Sequence, residues 1–203
     1  SALSGLRVLR PLRLDAFKEK GVWLDISVSR SGETLKLLLS GSSGERYYAA
    51  DAVPGQPREI QAPELTGDTW EGEIYAGPLF HGPAFQMLRT IGDVSERGMQ
   101  AELVDCETLQ WPRETWKLDP SAVDGGLQLA LLWTEQRLNR HSLPMSIAGI
   151  DIGSSSGRIT RCRLIGQGAG GSKARSDAYL LDEDGVVVAA LRGVETIALP
   201  AEA

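Results

Sequence analysis

Only one segment of this sequence has the length and apolar content of a buried helix, and most other apolar segments are patterned as strands. Residues 119–138 begin with Asp119, which can cap a helix, and with Pro120, whose missing N–H costs nothing at the first helical position. Apolar residues, including Val123 and Leu127, then recur at helical spacing. A single buried helix among many strands predicts an α+β fold.

The predicted strands form two groups on either side of a proline-rich segment. Residues 54–67 contain three prolines and two glycines, which disfavour both helix and strand. Before this segment, short Gly/Ser turns join the strands in a pattern typical of an antiparallel meander. After it, we expect a flexible glycine-rich hairpin connection at 166–173. The strands are predicted at 6–14, 22–29, 34–40, 45–53, 89–95, 100–105, 146–152, 158–166, 175–181 and 186–199.

Composition excludes several classes of protein. The formal net charge of −6 argues against nucleic-acid binding, which usually needs a basic excess. No apolar run has the length of a membrane span, and the first residues lack the layout of a secretory signal. Cys106 and Cys162 are far apart, and the chain has only two histidines. These counts predict a cytoplasmic protein with reduced thiols and no metal site.

Two short motifs carry residues suited to chemistry. Residues 79–86 have the sequence LFHGPAFQ, and Asp124 and Gln128 follow about 40 residues later near the start of the predicted helix. On a helix, Asp124 and Gln128 lie one turn apart on the same face. A carboxyl group in a mostly buried helix can hold its proton near neutral pH if desolvation outweighs the helix dipole. Asp124 is therefore a candidate general acid.

Together the two motifs resemble the GPxFQ motif and the Asp-x-x-x-Gln/His motif of the dehydratase domains of polyketide synthases and polyunsaturated fatty acid synthases. The Leu-Phe-His sequence before the glycine looks closer to the latter group. The resemblance corresponds to the C-terminal portion of these domains and implies a double hotdog fold, in which an antiparallel curled sheet wraps round a central helix. Residues 1–66 would form strands of an incomplete N-terminal hotdog plus a linker, and 67–203 a C-terminal hotdog with its helix at about 119–138.

The resemblance also implies a reaction, which is the removal of water from 3-hydroxyacyl chains on an acyl-carrier protein. Asp124 would protonate the departing hydroxyl group, and Gln128 would orient it. No metal or cofactor is needed, because the carrier's phosphopantetheine arm brings the substrate. The implied partners are the acyl-carrier protein, neighbouring synthase domains and a second copy in a homodimer. The implied substrate-binding residues are His81, Gly82, Pro83, Phe85 and Gln86.

One motif of this family is absent from the sequence. The catalytic base of these dehydratases is a histidine in an HxxxGxxxxP motif, and no HxxxG occurs among the 203 residues. Either the histidine belongs to an N-terminal segment that the chain lacks, or the domain is degenerate. The alternative function is therefore a non-catalytic module for carrier docking or domain organisation. Thioester hydrolysis and product-template cyclisation fit the motifs less well.

Simpler structural roles compete with these assignments. Phe85 is predicted to lie in the core, Gln86 to satisfy backbone groups near a turn, and His81 to lie at a strand edge or along an acyl tunnel. Three arginines on one predicted strand suit either a carrier's phosphate or, as we prefer, a solvated edge strand protected by charge. They are Arg158, Arg161 and Arg163.

Overall fold

One antiparallel sheet of ten strands organises the computed structural model, which describes residues 2–12, 21–77, 79–111 and 116–200. The strands are β1 (Ala2–Val8), β2 (Leu24–Ser31), β3 (Thr34–Gly41), β4 (Arg46–Val53), β5 (Leu88–Ser95), β6 (Gly98–Leu103), β7 (Ser142–Ile152), β8 (Ile159–Gly170), β9 (Lys173–Asp182) and β10 (Val187–Ala198). Their order in the sheet is β2-β3-β4-β1-β7-β10-β9-β8-β6-β5, and every neighbouring pair is antiparallel.

Among the residues that the structure describes, one long helix, α1, spans Pro120–Leu138. It begins where the sequence predicts because the Asp119 carboxylate accepts a hydrogen bond from the Ser121 backbone N–H at 2.8 Å. It ends at Asn139, which adopts the left-handed conformation at φ 49° and donates its N–H to Glu135 O at 2.6 Å. Both ends of the helix therefore have local partners for backbone groups that would otherwise be unpaired.

The helix packs on the part of the sheet formed by β5 to β10. Leu129 and Leu132 of the helix are buried against sheet residues such as Leu164 and Leu191. Each such side chain contributes roughly 1.5–3 kcal/mol when it leaves water. The helix approaches closely because Gly126 has no side chain; a Cβ there would lie 3.2 Å from Leu191 Cδ1. The predicted α+β class, with an antiparallel sheet on one helix, is confirmed.

Strand β1 joins the first and second parts of the chain. It pairs with β4 on one side and with β7 on the other, so that strands from both parts form one continuous sheet. Between β4 and Asp68, residue Arg58 makes an isolated bridge with Gly153 and no strand forms. The division into 1–66, the strands of an incomplete hotdog plus a linker, and 67–203, a C-terminal hotdog, remains a prediction. The sheet itself has no break between them.

Two predicted segments differ from the structure. The first strand is Ala2–Val8 and not 6–14, because its pairing with β4 ends at Val8; residues 13 and 14 lie outside the described part. The predicted hairpin connection at 166–173 does join two antiparallel strands, but it is much shorter than expected. Its glycines pair along β8 and β9, and only Gly171 and Ser172 form the turn. Gly171 supports this turn with a φ of +60°, which glycine adopts without strain.

The arginine-bearing strand is not an edge strand, so that prediction was wrong. Strand β8 lies between β6 and β9, and a central strand offers no free edge for charge to protect. The arginine side chains are also engaged within the chain, which removes the basis for a free cationic patch. Arg158 forms an ion pair with Asp105, Arg161 donates to Glu183 O at 3.1 Å, and Arg163 donates to Gln100 Oε1 at 2.9 Å.

Candidate active site

Asp124 is the fifth residue of α1 and lies at the wall of a cavity. The helix dipole favours a negative charge mainly within the first turn, and Asp124 lies beyond that turn. Burial raises the pKa of the Asp124 carboxyl above its ordinary value, although the hydrogen bond from Gln128 and the charge of His81 act in the opposite direction. Desolvation therefore dominates, as a general acid requires.

The amide of Gln128 is buried, with 1% of the residue exposed, and it connects Asp124 to two other groups. Its Nε2 donates to Asp124 Oδ2 at 2.6 Å and to Phe85 O at 2.8 Å. Its Oε1 accepts a hydrogen bond from the Tyr75 hydroxyl at 2.9 Å. Every polar end of this side chain is thus satisfied, which fixes the geometry of the Asp124 carboxyl.

Tyr75 belongs to this network, and the sequence analysis missed it. Its hydroxyl oxygen also accepts the Leu88 backbone N–H at 2.7 Å. Burial raises the pKa of Tyr75 to about 12, so the hydroxyl keeps its proton at any physiological pH. Tyr75 and Gln128 are 53 residues apart, and no spacing rule in the sequence connects them.

The GPAFQ motif forms a short 3₁₀ turn at Pro83–Phe85 that supports this network. Gln86 Nε2 donates to His81 O at 3.2 Å, which confirms the prediction that Gln86 satisfies a backbone group. Phe85 is 52% exposed, so its predicted place in the core was wrong. The turn leaves its ring on the surface, edge-on to Trp111 at 5.3 Å, while its carbonyl faces inward to Gln128.

His81 lies in the irregular segment before this turn and not at a strand edge. Its ring stacks on that of Phe80, with centroids 4.8 Å apart. Within the described part of the chain, its Nδ1 is buried and has no hydrogen-bond partner. Its charge lowers the pKa of Asp124, which connects it electrostatically to the site. Gly82 and Pro83, by contrast, are exposed.

The cavity beside Asp124 has a volume of about 420 Å³ and lies where β1 meets β7 and α1. Its walls are mostly apolar, and the GPAFQ residues and His81 are not among them. The motif therefore reaches Asp124 through Gln128 and is not part of this cavity's lining. The sequence analysis missed these walls, although the alternation of Leu6 and Val8 was visible. Lining residues include Leu6, Val8, Leu127, Met145 and Ile147.

The described residues offer no evident metal site. In residues 2–12, 21–77, 79–111 and 116–200, no three His, Cys, Asp or Glu side chains are grouped so as to hold a metal ion. Cys106 and Cys162 are both free thiols. Within the same ranges, no helix combines the length and the apolar content that crossing a membrane requires.

Comparison with known families identifies the chain's relatives. Residues 49–203 match the family described as the polyketide synthase dehydratase N-terminal domain. The chain belongs to the polyketide synthase dehydratase family. This membership confirms the resemblance to polyketide synthase dehydratases that the two motifs carried. No protein in the curated set matches the chain.

Solved dehydratase structures share the fold. The dehydratase domain of a mycocerosic acid synthase-like polyketide synthase matches with a TM-score of 0.80 at 17% identity. This match covers 100% of the present chain and 75% of that domain's chain. A trans-AT polyketide synthase dehydratase domain from Brevibacillus brevis has a TM-score of 0.80 at 18% identity, covering 98% and 76%. The dehydratase domain of PpsC from Mycobacterium tuberculosis, in complex with C12:1-CoA, has a TM-score of 0.75 at 19% identity, covering 98% and 75%. The predicted hotdog fold is confirmed.

Proposed function

We propose that this dehydratase-family chain supplies the acid half of a site that removes water from 3-hydroxyacyl chains carried on an acyl-carrier protein. The observation that carries the proposal is the Asp124 carboxyl, which lies at an apolar cavity with burial raising its pKa. A carboxyl group whose pKa is raised by burial holds its proton more readily, which suits donation to a hydroxyl leaving group.

The reaction breaks two bonds of the acyl chain and forms a double bond between its C2 and C3 atoms. A base takes the proton from C2 of the acyl chain, the C3–O bond breaks, and Asp124 gives its proton to the departing hydroxyl group, which leaves as water. Gln128 keeps the carboxyl in place through its 2.6 Å hydrogen bond to Oδ2. The family's HxxxGxxxxP histidine, which acts as the base, has no counterpart among the 203 residues. The chain's own residues therefore account for the acid step.

The cavity suits an acyl chain delivered on a phosphopantetheine arm. Its walls of Leu6, Val8, Leu127 and Met145 favour an apolar substrate. The related PpsC domain is in complex with C12:1-CoA, an acyl thioester of the same chemical class. Arg10 is a basic residue in the lining and would meet the phosphate of the arm. No cofactor of its own enters this proposal.

The proposed setting is a cytoplasmic multienzyme. Domains of this family work within polyketide synthases, so neighbouring synthase domains and an acyl-carrier protein are the proposed partners. We extend the proposal to a homodimer and leave a polyunsaturated fatty acid synthase as a second possible parent, because of the Leu-Phe-His sequence at residues 79–81. His81, Gly82, Pro83, Phe85 and Gln86 are proposed to support the substrate site from outside this cavity.

One observation favours a second function, a non-catalytic module that docks the carrier or organises neighbouring domains. The 203 residues lack the family's histidine motif. Against this, the Tyr75–Gln128–Asp124 network remains complete. A docking surface has no need for a buried carboxyl group that is held by a fully bonded amide, because burying it costs free energy.

The test is incubation of the natural protein carrying this sequence with a 3-hydroxyacyl thioester on its carrier, followed by mass spectrometry. We expect the acyl-carrier adduct to lose the mass of one water molecule. In Asp124→Asn the rate should fall by about a hundredfold or more. Asp119→Asn, which alters the helix cap outside the cavity, should keep the activity. Carrier binding without loss of water would overturn the proposal in favour of the docking module, and release of free acid would favour hydrolysis.

A further inference from the structure

The hydrogen bonds of the site network run in one donor-to-acceptor direction, which starts at Tyr75. The Leu88 N–H donates to the Tyr75 hydroxyl oxygen at 2.7 Å. That oxygen is therefore an acceptor for the backbone, and its own proton is left for Gln128 Oε1 at 2.9 Å. A neutral hydroxyl supplies one donor only, so this donation is committed to Gln128.

The direction continues through the amide of Gln128. A carbonyl oxygen only accepts hydrogen bonds, so the 2.8 Å contact with Phe85 O identifies the nitrogen end of the amide. The oxygen end then faces Tyr75, and the two contacts agree on one orientation. In this orientation the amide nitrogen also donates to Asp124 Oδ2 at 2.6 Å. Asp124 Oδ2 is consequently an acceptor, whether or not the carboxyl group is protonated.

We propose that Tyr75 is a positioning residue that acts through Gln128, holding the amide so that Asp124 carries its acidic proton on Oδ1 and keeps Oδ2 as the fixed acceptor. Within the described residues no hydrogen bond reaches Oδ1, and the residue lines the cavity, so this oxygen is left for a substrate hydroxyl group. The catalytic meaning of this arrangement rests on the proposed function. The placement of the proton does not.

Other groups around Asp124 do not replace this constraint. His81 acts on the carboxyl through its charge, while Arg10 and Tyr48 line the cavity. None of the three has a hydrogen bond to Asp124 within the described part of the chain. The amide of Gln128 is thus the hydrogen-bonding group that orients the carboxyl, and the Tyr75 hydroxyl is its donor.

The test is a carbon-13 NMR titration of the Asp124 carboxyl in the unmodified chain and in Tyr75→Phe, which removes the hydroxyl but keeps the ring. Gln128 then has an unpaired buried oxygen, and its hold on the Asp124 carboxylate weakens. We expect about a threefold to tenfold decrease in the acid dissociation constant of Asp124, the size of effect that one net hydrogen bond produces. An unchanged titration in Tyr75→Phe overturns the inference.

A double-mutant cycle separates positioning from a general structural effect. In a Gln128→Ala background, adding Tyr75→Phe should leave the Asp124 titration unchanged, because the hydroxyl has lost the group through which it acts. An equal shift in both backgrounds contradicts the inference. Tyr179→Phe is the matched control: it removes a hydroxyl hydrogen-bonded to Arg192 at 2.6 Å, in another part of the sheet, and should not alter the Asp124 titration.

Turnover distinguishes failure of this inference from failure of the proposed function. If the protein dehydrates 3-hydroxyacyl thioesters, Tyr75→Phe should lower kcat and leave KM nearly unchanged, because the acid is misplaced while the cavity is intact. A raised KM with unchanged kcat would contradict the positioning role. If the titration shifts as expected but no variant or parent protein dehydrates the substrate, the positioning of Asp124 by Tyr75 through Gln128 stands and the proposed function fails.

Discussion

Replacing Gly166 by alanine should destabilise the protein, although the residue lies in a stretch that the sequence suggests is a flexible loop. In the structure Gly166 lies on β8 beneath the indole of Trp133, a residue that is 2% exposed. A Cβ at Gly166 would lie 2.0 Å from Trp133 Cζ2 and 2.5 Å from Cη2. The absent side chain therefore provides the space that the tryptophan occupies.

The expected cost follows from these distances. Carbon atoms pack at about 3.5–4.0 Å, so the ring must retreat by roughly 1.5 Å. Overpacking of this kind costs about 1–3 kcal/mol. The movement also breaks the 3.2 Å hydrogen bond from Trp133 Nε1 to Glu96 O. A buried N–H group without a partner costs about 1–3 kcal/mol. Alanine recovers about 0.4–1 kcal/mol by restricting the unfolded chain. The net loss is about 1–5.6 kcal/mol.

Thermal unfolding measures this loss directly. For a chain of this size we expect Gly166→Ala to lower Tm by about 2–22 °C. Gly170→Ala is the matched control, because it lies on the same strand with nothing within 4 Å of its Cβ position. In a Trp133→Leu background the alanine should cost much less, with a coupling of at least about 1 kcal/mol. Equal Tm values for Gly166→Ala and Gly170→Ala would refute the packing described for Trp133.

Three further predictions concern the helix and the site. Asp119→Ala removes the helix cap and should lower the free energy of unfolding by about 1 kcal/mol in urea titrations, whereas an effect near zero would contradict the capping role. The folded state raises the pKa of Asp124, so the stability that its protonated form contributes is lost as pH rises through the folded pKa. Asp124→Asn should therefore stabilise the protein more at pH 8 than at pH 4. An effect of this variant on Tm that does not depend on pH would contradict the burial of the carboxyl group. Arg10→Ala should raise KM about threefold to tenfold for a phosphopantetheine substrate but not for one without phosphate, whereas Arg7→Ala should change neither; an equal effect on both substrates would exclude the phosphate contact.

Features carried by local chemistry were predictable from the sequence. Asp119 and Pro120 locate the start of α1 because capping and proline preference act within one turn. Asp124 and Gln128 are hydrogen-bonded because helical spacing alone brings residues four apart together. The overall class followed from one helical segment among many strands, which needs only periodicity.

Features that depend on distant contacts were not predictable. The glycines of β8 look like loop residues by composition, yet pairing with β9 and the Trp133 ring hold them in a strand. Tyr75 meets Gln128 across 53 residues, and the cavity walls come from β1 and β7, which are adjacent only in the folded sheet. No local sequence pattern predicts the Tyr75–Gln128 contact or the cavity walls. The exposed ring of Phe85 was misjudged because its carbonyl, and not its side chain, is the buried group.

A single-turnover measurement tests the assignment of Asp124 as the acid most directly. The natural protein carrying this sequence and its Asp124→Asn variant would be mixed in excess with a 3-hydroxyacyl pantetheine thioester, and formation of the 2-enoyl product would be followed in time. The amide is nearly isosteric and keeps an acceptor for Gln128, so substrate binding should persist while the rate falls about a hundredfold to ten-thousandfold. A variant that forms the enoyl product at the parent rate would contradict the assignment of Asp124 as the proton donor.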